Sequence, residues 1–304
     1  MFKKKYLFAV LYSIFLISMF TYNLLDTFVF EHRYQVVEDS SDTDESNSDD
    51  TTSNNSYNKD ATTTDTSYED ENISINIITK EYYNTMVYIA DVQVKNSDYL
   101  KTAFAQNAYG KNIKEKTSDM ATENNAILAI NGDYYGFRNG GYVIRNSTLY
   151  RDTKNGDDTQ DLVIYSDGSF EIVDEEDIDA NELLNNGATQ VFSFGPGLIE
   201  DGEITVDENT EVSMSKSSNP RTAIGCIEKN HYVMVVSDGR TNESEGLSLY
   251  QLATVMKEYG CETAYNLDGG GSSTMWFNGQ VINNPTSGRG IEEREVSDIV
   301  YIGY

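Results

Sequence analysis

The segment Asn266–Ser273 concentrates groups that can bind an anion or a sugar. It combines an amide, a carboxylate, a run of three glycines and two hydroxyls, from Asn266, Asp268, Gly269, Gly270, Gly271, Ser272 and Ser273. Successive backbone N–H groups in a glycine-rich turn form a nest for anions, and serine hydroxyls add further donors. The segment therefore predicts a phosphate-binding loop with a carboxylate beside it.

Three other apolar runs end in polar residues in a similar way. Their ends contribute Asn131 and Asp133, Asn219 and Arg221, and Asp238 and Arg240. If the four runs are strands of one scaffold, their ends meet in one cleft, since sites form on loops that a rigid scaffold holds. Two arginines bind a phosphate bidentately, and nearby carboxylates act as acid, base or nucleophile on a sugar.

Other kinds of chemistry find little support. The chain has two histidines, and a serine esterase would require His231 close to Ser272, which lacks the G-x-S-x-G pattern. There is no Gly-Lys-Ser/Thr phosphate loop and no His/Cys cluster for zinc. A net charge of −28 argues against nucleic acid as a partner. A divalent cation beside the aspartates is left open as a cofactor.

Each motif also has a structural interpretation. The residues around Asp238 and Arg240 are typical of a hairpin turn with an exposed arginine. The aromatic residues Tyr134, Tyr135 and Phe137 either stack on a sugar ring or pack in the core.

The N-terminal residues 1–30 predict a membrane anchor. Three lysines, Lys3–Lys5, precede an apolar run from Tyr6 to Leu25 that is long enough to cross a bilayer. No small-x-small cleavage site follows, so we expect an uncleaved signal anchor with the lysines inside and the rest of the chain extracellular. Residues 31–72, rich in Ser, Thr, Asn, Asp and Glu, predict a disordered acidic linker.

Residues 73–304 predict one domain of the α+β class. Many strand patterns and few helices indicate a large mixed, mostly antiparallel sheet with a few flanking helices. Helices are expected within 97–110, 117–125 and 177–187, and most clearly within 248–260, where Ser248 and Gln251 form a capping box. The cysteines Cys226 and Cys261 lie in apolar runs, so we expect free thiols, with a disulfide as the alternative.

Several of these segments together resemble the phosphodiester glycosidase family. The resemblance covers about residues 75–304, and the segments that carry it are AINGDYYG, NPRTAIG, VVSDGR, AYNLDGGGSSTMWFNG and REVSDIVYIGY. The family includes the animal mannose-6-phosphate uncovering enzyme and bacterial exopolysaccharide-associated proteins. The resemblance implies an α+β fold and hydrolysis of a sugar-1-phosphodiester, releasing the sugar and a phosphomonoester.

The resemblance points to most of these polar residues, and their position at strand ends beside anion-binding groups predicts a role for each. Asp268 would act at the anomeric carbon, with Asp238 or Asp133 as its partner. Substrate would be bound by Asn131, Arg221, Arg240, Asn266, Gly269, Gly270, Gly271, Ser272 and Ser273. The substrate expected is a phosphorylated glycan of the cell surface. The alternative function is a membrane-tethered protein that binds phosphate-linked glycans in exopolysaccharide or cell-wall assembly without cleaving them.

Overall fold

The structure is a computed structural model that describes residues 4–36, 61–156, 159–210, 218–288 and 290–304. The helices are α1 (Lys4–Phe28), α2 (Thr117–Glu123), α3 (Ala180–Asn185) and α4 (Leu249–Glu258). Short 3-10 turns cover Ser97–Tyr99, Ala105–Asn107, Tyr135–Phe137 and Gly270–Ser272. The strands, in chain order, are β1 (His32–Val36), β2 (Thr62–Thr63), β3 (Ser67–Glu69), β4 (Ile73–Tyr82), β5 (Thr85–Val94), β6 (Leu100–Phe104), β7 (Ala108–Lys111), β8 (Glu115–Lys116), β9 (Leu128–Asn131), β10 (Val143–Arg145), β11 (Thr148–Arg151), β12 (Gln160–Tyr165), β13 (Phe170–Asp174), β14 (Ala188–Phe192), β15 (Gly197–Glu200), β16 (Glu203–Ile204), β17 (Thr222–Glu228), β18 (His231–Ser237), β19 (Thr263–Leu267), β20 (Met275–Phe277), β21 (Gln280–Val281), β22 (Thr286–Ser287), β23 (Gly290–Ile291), β24 (Glu295–Val296) and β25 (Asp298–Ile302).

The largest sheet has nine strands in the order β16-β15-β19-β17-β18-β5-β4-β3-β2. Strand β4 in this sheet alternates with the apolar–polar pattern of its sequence: Ile73, Ile75 and Ile77 are buried and the residues between them are exposed. Strands β17, β18 and β19 at its centre are apolar on both faces, because the main core covers one face and α4 packs on the other.

Two five-stranded sheets complete the core. Their orders are β11-β10-β14-β12-β13 and β21-β20-β9-β25-β6. Every pairing among the described strands is antiparallel. The predicted α+β class, with mostly antiparallel strands and few helices, is confirmed, although the strands divide among several sheets.

Three of the four predicted domain helices form. Helix α4 begins at the predicted capping box. The Ser248 hydroxyl accepts from Gln251 N at 3.1 Å, and Gln251 Oε1 accepts from Ser248 N at 2.9 Å. The helix predicted within 97–110 is wrong. That segment forms β6 and β7, because β6 pairs along its whole length with the distant strand β25, and this pairing overrides local propensity.

The N-terminal helix is joined to the domain more closely than the sequence predicts. Tyr6–Phe28 is the one helix among the described residues that is long and apolar enough to cross a membrane. Strand β1 follows it at once and pairs with β7. Strands β2 and β3 likewise fall inside the predicted linker of residues 31–72, so that prediction is wrong at both ends, and residues 37–60 lie outside the described residues.

A buried arginine connects the two smaller sheets. Arg145, at the end of β10, is 2 % exposed and forms ion pairs with Asp133 at 3.0 Å and with Asp298 of β25 at 2.8 Å. Burial lowers the pKa of Arg145, but the two carboxylates outweigh this effect, so the pKa is raised. Gly132 makes room for this cluster, because a Cβ there would lie 2.3 Å from Asp298 Oδ1.

We predict that Arg145→Met destabilises the fold by about 3–5 kcal/mol, because it leaves two carboxylates buried without a cation. Chemical denaturation measures the change. Lys80→Met is the matched control, since Lys80 pairs with Glu258 on the exposed surface, and it should change stability little. Equal effects of the two substitutions would contradict the structural role of Arg145.

Candidate active site at the ends of four strands

The predicted site residues meet where four strands end. Strands β17 and β19 are neighbours, with Thr222 opposite Leu267, so Arg221 and Asp268 leave the sheet side by side. Strand β9 belongs to another sheet, but Asn131 at its end joins the two. Its Nδ2 donates to Asp268 O at 2.6 Å, and its Oδ1 accepts from Thr222 Oγ1 at 2.8 Å. The predicted convergence of these strand ends is therefore observed.

The glycine run allows other groups to approach closely. A Cβ on each residue of Gly269–Gly271 would meet, in order, Pro220 O at 2.8 Å, Arg240 Nη2 at 2.7 Å and Arg294 Nη2 at 2.7 Å. Gly270 also has a φ of +64°, which disfavours a side chain. The run is bare because one carbonyl and two guanidinium groups occupy the space that side chains would need.

The predicted anion nest is wrong for most of this loop. The N–H of Gly270 donates to Pro220 O at 2.8 Å, that of Ser272 to Gly269 O at 3.2 Å, and that of Ser273 to Gly270 O at 3.3 Å. These donors are already used within the protein. The positive groups that remain to meet an anion here are the guanidinium groups.

Asp268 is held by the loop in a half-buried position. Burial raises the pKa of its carboxyl group to about 6, while the Ser272 hydroxyl, Arg294, the Gly269 N–H and Arg138 lower it. A carboxyl group with a pKa near 6 exchanges a proton easily close to neutral pH, which suits a general acid or base.

The side chains of Arg294 and Arg240 lie against the same glycine loop, Gly269–Gly271. Arg294 forms no hydrogen bond or ion pair with the described residues, and Arg240 contacts Asn219 Oδ1 through Nη2 at 3.0 Å. Burial and the charge of Arg294 lower the pKa of Arg240. Two cations that repel each other across bare backbone form a strong site for an anion such as phosphate.

A cavity of about 460 Å³ opens beside Asp268. Its wall includes Asp133, Ser272 and Arg294, together with Lys114, which pairs with Glu295 at 2.8 Å. A second cavity of about 370 Å³ is lined by Thr102, Asn146, Gln190 and their neighbours, and it contains none of the predicted site residues. We therefore place the candidate site in the first cavity.

The aromatic residues Tyr134, Tyr135 and Phe137 divide between the two expected positions, an exposed face for a sugar ring and the core. Tyr134 and Phe137 stack on each other at 4.8 Å, are each 38 % exposed, and line the cavity. Tyr135 is buried and packs against Phe104 and Tyr109 in the core. Only the exposed pair is placed to meet a ligand.

Asp133 lines the cavity, but both of its oxygens are engaged. One accepts from Tyr135 N at 2.8 Å, and the other from Arg145 Nη2 at 3.0 Å and Ser193 N at 3.2 Å. Burial raises the pKa of Asp298 on the other side of Arg145, against the lowering effect of Arg145 itself, and Asp133 adds to the rise. These contacts favour a positioning role for Asp133 over the predicted catalytic one.

Asp238 is surrounded by neutral donors. Its oxygens accept from Asn284 N at 2.8 Å, Asn284 Nδ2 at 2.9 Å and Tyr88 OH at 3.3 Å. Asn283, at 3.4 Å from the same carboxylate, also donates to Ser273 O at 3.0 Å. Asp238 is thus connected to the glycine loop but does not line the cavity.

Three other predicted binding residues lie in the interior. Arg221 is 3 % exposed and donates from Nε to Leu247 O at 3.0 Å. Asn266 donates to Gly195 O at 2.8 Å. Ser273 is buried, and its hydroxyl has no hydrogen-bond partner among the described residues. Their assignment to substrate binding stays a prediction, and the contacts of Arg221 and Asn266 hold neighbouring loops in place.

Sequence reasoning missed Arg294, Arg138 and Lys114. Arg138 donates to Ser193 O at 2.8 Å and lies over the ring of Phe194. Arg294 begins the segment REVSDIVYIGY, which the sequence analysis used only for the family resemblance. Only the folded chain places Arg294 against Gly271.

The serine esterase alternative is excluded by distance. His231 contacts Asp91 at 2.7 Å at the start of β18, whereas Ser237, at the other end of β18, accepts from Arg221 N. A strand of this length spans about 20 Å. His231 therefore lies at the wrong end of β18 to activate Ser272.

Cys226 and Cys261 are free and buried, as expected. Within the described part of the chain, no group of three or more His, Cys, Asp or Glu residues could hold a metal ion. The divalent cation considered from the sequence has no such cluster among these residues.

The pKa of Asp268 predicts a dependence of stability on pH. Between about pH 4 and pH 6 the folded protein keeps a proton that the unfolded chain has released. The free energy of unfolding of the wild type should therefore fall as the pH rises through this range, by at most about 3 kcal/mol. Asp268→Asn should remove this fall and be the more stable protein at pH 7. Denaturation at several pH values tests this, and parallel profiles for the two proteins would contradict it.

Comparisons with known proteins indicate the family of this chain. A family model described as phosphodiester glycosidase matches residues 124–303. An uncharacterised SPbeta prophage-derived protein of Bacillus subtilis, YomE, is 30 % identical over 239 residues, which cover 74 % of this chain and 36 % of the relative. The human N-acetylglucosamine-1-phosphodiester alpha-N-acetylglucosaminidase is 35 % identical over 113 residues, covering 33 % of this chain and 22 % of its own length. This chain thus spans about a third of the bacterial relative and about a fifth of the human one.

Solved structures support the same fold. The catalytic domain of the zebrafish N-acetylglucosamine-1-phosphodiester alpha-N-acetylglucosaminidase, auto-inhibited by its pro-peptide, superposes with a TM-score of 0.59 at 23 % identity over 77 % of this chain and 82 % of that one. A hypothetical protein from Synechocystis has a TM-score of 0.54 at 14 % identity, over 76 % and 62 % of the two chains. With the family model covering more than half of its residues, the chain belongs to the phosphodiester glycosidase family.

Proposed function

We propose that this chain hydrolyses a sugar-1-phosphodiester in a cell-surface or extracellular glycan. The observation that carries the proposal is the placement of Asp268, whose pKa is raised to about 6, in one cavity with Arg294, which has no ion-pair partner among the described residues. A carboxyl group that can gain or lose a proton thus lies beside a cation that suits a phosphate. The cavity volume of about 460 Å³ is in the range of small-ligand sites.

The phosphate end of the substrate meets the arginines. Arg294 and Arg240 bind the phosphate oxygens over the glycine loop, and Lys114 adds positive charge at the cavity wall. As the bond to the sugar breaks, charge develops on the departing phosphate, and fixed cations stabilise that charge without rearranging.

The sugar end meets Asp268. The bond between C1 and the phosphate oxygen breaks, and its electron pair leaves with the phosphomonoester. Water supplies a hydroxyl group to C1 and a proton to the products. Asp268 in its ionised form either removes a proton from that water or attacks C1 itself. Tyr134 and Phe137 offer an exposed aromatic face on which a sugar ring can stack.

The family and the relatives support the reaction type. The animal relatives are named for their action on an N-acetylglucosamine-1-phosphodiester. We take the bond type, and not the sugar, as the proposal for this chain. Helix α1 would anchor the protein in the cell membrane as a single span, with the catalytic domain on the extracellular side.

The test of the proposal is release of free sugar from synthetic sugar-1-phosphodiesters. Asp268→Asn should lower kcat/KM at least about 100-fold, since it removes the acid–base group. The wild-type rate should rise with pH through about 6, because the ionised carboxylate is the active form. Asp201→Asn, in an exposed turn, is the matched control and should leave the rate unchanged.

Two results would contradict the proposal. An unchanged rate in Asp268→Asn would remove this carboxylate from the chemistry. Tight binding of the same compounds without any release of sugar would favour the alternative of a membrane-tethered binding protein for phosphate-linked glycans in exopolysaccharide or cell-wall assembly.

A further inference from the structure

The end of the membrane helix forms part of the wall of the candidate site. Phe28 is the last residue of α1, and with Val29 it lines the same cavity as Asp268 and Arg294. These two apolar residues are 70 % and 59 % exposed, so they are free to face a bilayer. The cavity therefore lies within one side-chain length of the point where the helix ends.

This placement is fixed by contacts on the domain. Asn112 Nδ2 donates to Thr27 O at 3.2 Å and to Phe30 O at 2.9 Å, which caps the last turn of α1. Strand β1 begins at His32 and pairs with β7, the strand that precedes Asn112. Gln106 reaches back to Glu31 at 3.3 Å. These contacts join the end of the helix directly to the domain, so the predicted linker does not separate the site from the helix.

The length of the helix places the cavity at the membrane surface. The 23 residues of Tyr6–Phe28 rise by about 35 Å, slightly more than the roughly 30 Å of a hydrocarbon core. Phe28 then lies at the boundary between hydrocarbon and headgroups. The exposed rings of Tyr134 and Phe137, on the cavity rim, fall in the zone where aromatic side chains favour the interface.

We propose that the group beyond the phosphate in the substrate is a membrane lipid, so that the enzyme acts on a sugar joined through a phosphodiester to a lipid alcohol. Such a compound holds its phosphate at the headgroup level, which is the level of Arg294, while its hydrocarbon chain stays in the bilayer beside Phe28 and Val29. Hydrolysis at C1 releases the sugar to water and leaves the lipid phosphate monoester in the membrane. This inference rests on the proposed function.

The test uses the full chain in nanodiscs of phosphatidylcholine and phosphatidylglycerol. A panel of sugar-1-phosphates is esterified to a long prenyl alcohol or to methanol, and release of free sugar is measured. We expect kcat/KM for the prenyl ester to exceed that for the methyl ester at least about tenfold, since both enzyme and lipid are confined to one surface.

A second measurement locates the cavity rim independently of the rate. An environment-sensitive dye is attached to Phe137→Cys or to the control Tyr250→Cys, which is equally exposed at 38 % but lies on α4, away from the cavity. The native cysteines are buried, so labelled wild type gives the background. A quencher in the lipid headgroups should reduce the signal from position 137 strongly and that from position 250 little.

The outcomes separate the two proposals. Equal or faster hydrolysis of the methyl ester, or equal quenching at the two positions, overturns the lipid inference and leaves the proposed function standing. Methyl ester hydrolysis that appears only in Phe28→Ser also overturns it, because the helix end would then block the site. Failure to hydrolyse either ester overturns the proposed function and the lipid inference with it.

Discussion

The site depends on the burial of carboxyl groups next to one another with few cations to balance them. Asp268 is half-buried at the cavity wall, and Asp133 and Asp298 share one buried arginine, Arg145. Burying a charge is expensive unless it is paired, so each of these groups needs either a proton or a nearby guanidinium group. Asp133 and Asp298 have their cation and hold the structure, whereas Asp268 is less completely compensated and can exchange a proton.

Glycines make this arrangement of charge sterically feasible. Gly132 leaves space for the Asp298 carboxylate, and Gly270 and Gly271 leave space for Arg240 and Arg294. The same loop therefore brings Asp268 and two cations close together. Asn131 fixes the loop from the neighbouring sheet by binding Asp268 O and Thr222 Oγ1, so the site is built at the junction of two sheets.

Local patterns in the sequence predicted much of the fold and the position of the site. The alternation in β4, the capping box of α4 and the polar ends of β9, β17, β18 and β19 each depend on residues close in sequence. The features that were missed depend on distant partners. Strand β6 forms because β25 pairs with it, and Arg294 reaches Gly271 only after the C-terminal segment folds back. The prediction of an anion nest was wrong for the same reason. The carbonyl of Pro220, a residue distant in sequence, accepts the N–H of Gly270 that the nest would need.

The most direct test of this account is the pH dependence of kcat/KM in wild type, Arg294→Gln and Arg294→Lys. Arg294 both binds the phosphate and opposes the rise in the pKa of Asp268. Its loss should therefore lower kcat/KM and shift the acidic limb of the pH profile, where kcat/KM rises with pH, to a pH above its wild-type position near 6. Arg294→Lys keeps the charge and should leave the limb in place. An acidic limb that stays at the same pH in all three proteins would contradict the account.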